Sequence, residues 1–447
     1  MSVKVVVSNT VALNGGDAAI LLALRHVLKK HLGDRLDLTV FDSQPEVASR
    51  LYPELDFRQL LYENTTWRPE LNDIDNRYVR YLLRETSKIA NPFRVWLALY
   101  LWKEVEEEAA RLFLTSNEWE SLQIYASADV IISTGGTYLV DYYFLEPRIF
   151  DYQIAHFFDR PLVFYTQTAG PFETPRYRRA LRSIMNRAQL ILLRDEESAD
   201  NLRDIGVTDT PLVVAADAVF SLAEPDDLEA ARDRTYPLED RPRVAVSVRH
   251  WPHFQNRSTE EGMRKYRESI QSAVHHLAEH HNAKIKFVST CQGVQEYRND
   301  DAQVAQRIAD CLPDEIRSAV TVDASFHAPT DLKEEIKSYD FVVATRMHMA
   351  ILGLVAGTPV LPIAYEPKTT HLFRKMGLGE WVTSIETIDP SFSDKVDQFI
   401  EQIDSLRNLM IDGADKERQQ ADLAAQQLGE VFRKIGVESE SSTSKQA

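Results

Sequence analysis

The sequence predicts a two-domain α/β protein with a cleft between its domains, and three observations carry that expectation. The chain has 447 residues, about twice the upper end of the usual size of one domain. Short runs rich in β-branched residues alternate with helical stretches, the pattern of a parallel sheet with crossover helices. The alternation stops over Glu224–Arg243, a charged segment holding three prolines, and then starts again.

Taken in order, Val3–Ser8 reads as a buried strand and Asn9–Gly16 as a loop. Asp17 suits the N-cap of a helix that ends at Gly33, and Leu36–Asp42 is the next strand. Residues 53–122 break the rhythm. They carry Trp67, Tyr78, Tyr81, Trp96, Tyr100 and Trp102 amid many charges and read as a helical insertion, a lid or a partner surface. At these spacings the aromatic rings are expected in the core rather than on a ligand. Strands return at Asp129–Ser133, Pro161–Thr166, Leu190–Leu193 and Pro211–Ala215. After the boundary come strands at Arg243–Arg249, Lys284–Ser289, Thr321–Asp323, Tyr339–Ala344 and Val360–Tyr365, with helices over Glu260–His281 and Met347–Ala356. The expected division is 1–235 and 243–390, a last helix within 391–437 packing back on the first domain, and a disordered tail over 438–447.

Composition narrows the function. A formal charge of −17 excludes a general nucleic-acid binder, which needs clustered Lys and Arg. It does not exclude an anionic small substrate, because a few arginines in a cleft set the local field. The two cysteines, Cys291 and Cys311, lack metal-clip spacing and suit a reducing compartment. There is no signal-peptide layout, and no run reaches the roughly 18 to 20 apolar residues that span a bilayer. The expected location is cytoplasmic, free or peripheral at the inner face of the membrane.

Ligands of open α/β sheets bind beyond the carboxyl ends of the strands, so the loops there hold the candidate site. Asn14-Gly15-Gly16-Asp17 and Thr134-Gly135-Gly136-Thr137 are glycine turns open to a ligand or to another backbone. Arg249 and Arg194 each end a strand and present a planar fork to carboxylate or phosphate, or to a structural partner. For Arg194 the partner is expected among Asp195, Glu196 and Glu197. Thr345-Arg346-Met347-His348 is the sharpest signal. The apolar segment after it should be a buried helix, whose amino end joins Arg346 as an anion site with His348 alongside as acid or base. Glu366 and Lys368 follow the next strand and meet ligand, or Lys368 pairs with a surface acid. His275, His276, His280 and His281 lie off the buried stripe of their helix, so a solvated face and no metal are expected.

With these residues in place, the chain resembles the polysaccharide pyruvyl transferase family. The resemblance rests on Asn14-Gly15-Gly16-Asp17, Gly135-Gly136, TQTAGPF, RDEESADNLRDIGV, Asp217, Arg249 and the run from Thr345 to Lys368. It implies two Rossmann-like domains facing across a cleft, as in GT-B glycosyltransferases, and transfer of a pyruvyl group from phosphoenolpyruvate to a sugar as a cyclic ketal. Carried over, His348 is the acid or base, and Arg346, Arg249, Arg194 and Lys368 hold the donor. Gly15, Gly16, Asp17, Gly135 and Gly136 would meet a saccharide acceptor, free or lipid-linked, from the first domain. No resident cofactor is implied. Two other functions fit the same architecture: a nucleotide-sugar glycosyltransferase, with Glu366 as its ribose contact, and a non-catalytic sugar-binding protein.

Overall fold

The computed structural model describes residues 2–66, 76–298 and 300–437. Trp67 and the tail from Glu438, on which two expectations fell, lie outside them. The chain divides into two compact units. Unit one is Met1–Ala12, Val27–Ala215 and Ala424–Ala447; unit two is Leu13–His26 and Ala216–Leu423.

Unit one holds eight strands: β1 (Val3–Thr10), β2 (Leu36–Asp42), β3 (Asp56–Gln59), β4 (Val130–Ser133), β5 (Gly136–Leu139), β6 (Leu162–Ala169), β7 (Leu190–Leu193) and β8 (Leu212–Val214). Their order is β3-β2-β1-β4-β6-β7-β8, with β5 on β6. Unit two holds β9 (Arg243–Ser247), β10 (Lys284–Phe287), β11 (Val320–Val322), β12 (Phe341–Ala344), β13 (Val360–Ala364) and β14 (Thr383–Ser384), in the order β11-β10-β9-β12-β13-β14. The paired strands run parallel, for example Val5 beside Val130 and Val244 beside Phe341. Parallel strands need helices over both faces, which is why β4, β7 and β12 are buried along their whole length and read as unbroken apolar runs. Each sheet changes direction at one place, between β1 and β4 and between β9 and β12. That is where ligands sit in folds of this kind.

The structure corrects four expectations. The passage into unit two comes at Ala216, ahead of Glu224–Arg243. The reason lies in contacts made early: Lys333 Nζ donates to Leu222 O, and Asp217 meets His348. The 53–122 insertion is not wholly helical, since Asp56–Gln59 adds an edge strand to the sheet. The final helical stretch is two helices, Phe392–Glu401 and Ile403–Lys434, and only the part from Ala424 groups with unit one. Of the insertion's aromatic residues expected in the core, Trp96 and Trp102 pack against it, while Tyr78, Tyr81 and Tyr100 are exposed. Trp102 stacks on Trp119 at 4.5 Å, and Trp96 meets Phe150 and Phe157 edge-on.

Candidate active site

The turning point of unit two's sheet brings the sharpest sequence signals together. Ala344, at the end of β12, lies beside Ser247, at the end of β9. The two strand ends are tied by Tyr266, whose hydroxyl is 2.7 Å from Thr345 Oγ1 and also bonds to the backbone of Arg249. The helix Met347–Val355 follows at once. All nine of its residues are buried except His348, and no side chain caps its amino end. A buried helix end with free N–H groups and a positive dipole favours an anion.

Arg346 is the residue before that helix, and its fork is taken. Its Nε and Nη2 donate to the two oxygens of Asp301 at 2.7 and 2.8 Å, in a buried bidentate pair. Ser289 Oγ gives Asp301 a further bond of 2.6 Å. Burial opposes charge on Arg346, but the Asp301 carboxylate outweighs it and holds the guanidinium firmly protonated. Arg346 thus anchors the loop, and direct capture of a substrate by this fork is not what the geometry displays.

His348 faces two neighbours. Its Nε2 lies 3.7 Å from Asp217 Oδ2, and the other carboxylate oxygen of Asp217 accepts from Val219 N–H. On its other side is the Asn14 loop, which corrects the expectation that this loop serves the first domain: residues 13–26 belong to unit two. A Cβ at Gly16 would overlap the His348 imidazole, and one at Gly15 would overlap the Thr290 carbonyl. Both positions must be glycine for the loop to lie this close. Asn14, not Asp17, caps the helix, accepting from Gly16 N–H at 3.0 Å. Its Oδ1 also takes a bond from the buried Cys291 thiol. Asp17 stands in the first helical turn.

A second group gathers on Tyr365. The Arg249 guanidinium lies 3.8 Å from its ring centre and 5.0 Å from that of Trp251, and Nε donates to His250 O. Lys368 Nζ is 5.9 Å from the same ring and pairs with Glu366 at 2.8 Å. A guanidinium held flat on an aromatic face is fixed in direction, and its terminal nitrogens keep their donors.

Arg194, Gly135 and Gly136 sit elsewhere, at the strand ends of unit one. Arg194 Nη2 donates to Thr137 Oγ1 at 2.9 Å, while Asp195 caps the next helix through Ser198 N–H. Arg194 therefore reaches the glycine loop. Gly135 backs onto Thr166, a β-branched residue at φ 51° where β6 bulges. Gly136 opens β5. Gln167 Nε2 donates to Ser133 O at 3.1 Å and to Thr134 O, and Ser133 Oγ is 2.7 Å from Tyr152 OH. Nearby, Asp151 accepts from Asn9 Nδ2 and Tyr125 OH. Burial raises its pKa to about 8.

The histidine cluster differs from its expected solvated face. His276 and His281 each place Nε2 2.7 Å from Asp397 Oδ1, half-buried against the helix Phe392–Glu401. The partner came from a distant segment, so spacing along one helix could not reveal it.

With this geometry in view, comparison decides the family. The sequence matches the polysaccharide pyruvyl transferase family over residues 14–367. The chain belongs to that family. It is 23% identical over 296 residues to AmsJ, an amylovoran biosynthesis protein of Erwinia amylovora, covering 65% of this chain and 70% of that one. Its fold is similar to Anabaena HepE, solved in complex with UDP and glucose, at TM-score 0.54 and 13% identity, covering 97% of this chain and 100% of that chain. It is also similar to the UDP-GlcNAc 2-epimerase of Neisseria meningitidis, at TM-score 0.51 and 12% identity over 97% and 100% of the two chains. These likenesses place this pyruvyl transferase family member in the GT-B-like, two-unit α/β class. Among the described residues no helix is long and apolar enough to cross a membrane.

Sequence reasoning missed Asp301 and Cys291 as parts of this site. The signal for Asp301 was slight: two aspartates open the helix Asp301–Ala309, and only Asp300 is needed as its cap.

Proposed function

We propose that this chain transfers a pyruvyl group from phosphoenolpyruvate to two hydroxyls of a polysaccharide sugar or its precursor, forming a cyclic ketal and releasing phosphate. The observation that carries this reading is the uncapped amino end of a buried helix with His348 in its first turn, facing Asp217. AmsJ, named for amylovoran biosynthesis, adds a relative with a biosynthetic role.

Phosphoenolpyruvate carries a carboxylate and a phosphate on one carbon. In this reading the helix N–H groups hold one of them, and Arg249 with Lys368 meets the other, Lys368 by exchanging Glu366 for substrate. Arg346 acts indirectly: paired to Asp301, it fixes where the helix begins. A proton added to the donor's methylene carbon leaves an oxocarbenium-like centre at the neighbouring carbon. A sugar hydroxyl bonds to that centre and gives up its proton. Phosphate then leaves with the electron pair of its C–O bond, and the second hydroxyl closes the ring with loss of its own proton. His348 is the group placed to give or take these protons, with Asp217 orienting the ring. The strand ends of unit one, at Gly135, Gly136, Ser133 and Gln167, where neutral polar groups gather, would receive the sugar.

The experiment is phosphate release from phosphoenolpyruvate with candidate acceptors, together with melting curves. Phosphoenolpyruvate should raise the melting temperature of the native protein and of His348→Ala, while the variant's turnover falls by about 10²- to 10⁴-fold. No release and no saturable shift with phosphoenolpyruvate, beside a shift with nucleotide sugars, would replace this reading with glycosyl transfer.

A further inference from the structure

The helix Thr259–His280 of unit two carries His276 near its end, and His281 follows as its C-cap. Both rings turn to one atom. Each Nε2 is 2.7 Å from Oδ1 of Asp397, which stands on the helix Phe392–Glu401. One ligand atom from each of these three half-buried residues lies within 4.8 Å of the other two. Spacing along one helix argued against a metal, but the third ligand comes from the other helix. Zinc holds imidazole nitrogen and carboxylate oxygen at about 2.0 to 2.2 Å, and in a tetrahedron such ligand atoms stand roughly 3.3 Å apart. Opening the present contacts by about half an ångström makes that room, a small swing for two half-buried rings.

Charge favours a cation over a plain hydrogen-bonded cluster. His281 ends its helix, where unpaired carbonyls make a negative pole. With both imidazoles neutral, the Asp397 carboxylate adds a further negative charge beside that pole. Among the described residues Asp397 pairs with no Lys or Arg, only with the two histidines. Another cluster in unit two shows the alternative. Asp323, His327 and Glu335 also converge, but Lys286 Nζ stands among them, 2.7 Å from Asp323 and 2.8 Å from Glu335. There the protein supplies its own cation; at Asp397 no side chain plays that part. Two imidazoles and one carboxylate suit a transition ion, whereas magnesium and calcium prefer oxygen throughout. His281 comes just before Lys284, where β10 begins, so the cluster lies at the amino ends of the parallel strands. His348 follows the carboxyl end of β12, at the opposite edge of the sheet.

We propose that His276, His281 and Asp397 bind a divalent transition-metal ion, zinc by their chemistry, with water as the fourth ligand. The ion ties the end of the helix Thr259–His280 to the helix Phe392–Glu401. The site is structural and independent of the reaction assigned above. The full chain, stripped with a chelator and titrated with zinc chloride in a calorimeter, should take up one ion, and zinc should raise its melting temperature. His276→Gln and Asp397→Asn should each weaken zinc binding by at least about tenfold, since even a residue behind a ligand is worth that much, and the melting rise should shrink with it. The melting curve of each variant in chelator reports its folding apart from zinc. His280→Ala removes the neighbouring exposed imidazole and should leave zinc affinity unchanged. Cobalt in place of zinc should show the visible absorption of a four-coordinate site. The proposal is overturned if the stripped, unaltered chain takes up no zinc at micromolar concentration, or if both ligand variants bind it as tightly. It is also overturned if His280→Ala abolishes binding or if the cobalt spectrum stays that of the hydrated ion.

Discussion

The strand ends of the two units solve the same problem of buried polarity in opposite ways. Unit two uses charged pairs, Arg346 with Asp301 and Lys368 with Glu366, and sets the Asp217 carboxylate beside the His348 ring. Apart from Arg194, unit one uses neutral donors and acceptors here: Gln167 on Ser133 and Thr134, Ser133 on Tyr152, and an Asp151 that keeps its proton near neutrality. A small, multiply charged acid suits the first environment, and a sugar, all hydroxyls, suits the second. The contrast is one of electrostatics rather than of fold, since the two sheets share the same order of strands about their turning points.

Removing one partner of a charged pair should do the greatest damage. Asp301→Ala leaves Arg346 charged and buried, and should cost about 3 to 5 kcal/mol in denaturant unfolding. Equal stability of this variant would erase the proposed contrast. Gly16→Ala comes next. Its Cβ must displace the His348 ring, and a misplaced catalytic group costs on the order of 10²-fold in turnover. The fold should lose only about 1 to 3 kcal/mol. Arg249→Lys should then raise the KM for phosphoenolpyruvate by about tenfold with little change in kcat, because an ammonium cannot keep the planar seat on Tyr365.

Asp151→Asn should have the smallest effect, within about 1 kcal/mol, below pH 3.8, where it replaces a carboxyl that is protonated both folded and unfolded by a neutral amide. Its signature is in the pH dependence. With a folded pKa of about 8 against the ordinary 3.8, Asp151 keeps its proton in the native state while the unfolded chain gives it up. Its contribution to stability is therefore complete below pH 3.8, falls as pH rises through that window, and levels off above pH 8. Melting temperatures measured across this range should slope downward less in the variant. An unchanged slope would mean that Asp151 is ionised and that unit one is not neutral after all.

The sheets were largely legible in the sequence. Leu36–Asp42 and Leu190–Leu193 were read to the residue, because buried parallel strands are short apolar runs between turns. The helix over Met347–Val355 was legible for a similar reason: it is apolar all round. The edge strand Asp56–Gln59 was not, since DFRQ has no such run and takes its shape from pairing with β2. In the site, local chemistry was readable and pairing was not. Arg346 looked available because its partner, Asp301, stands 45 residues away. The Asn14 loop looked like part of the first domain because sequence order says nothing of which core a loop will join.

That allegiance has a practical consequence for anyone cutting the gene. A fragment beginning at Ala216 would carry β9 to β14 and His348, yet lack the amino-terminal piece against which Thr290 and the imidazole rest. Such a fragment should expose an unfinished face, and adding residues 13–26 back as a peptide should restore its cooperative melting. On the ribosome Asn14 is synthesised 277 residues before its partner Cys291, so this piece must wait, unattached, until most of the chain has emerged.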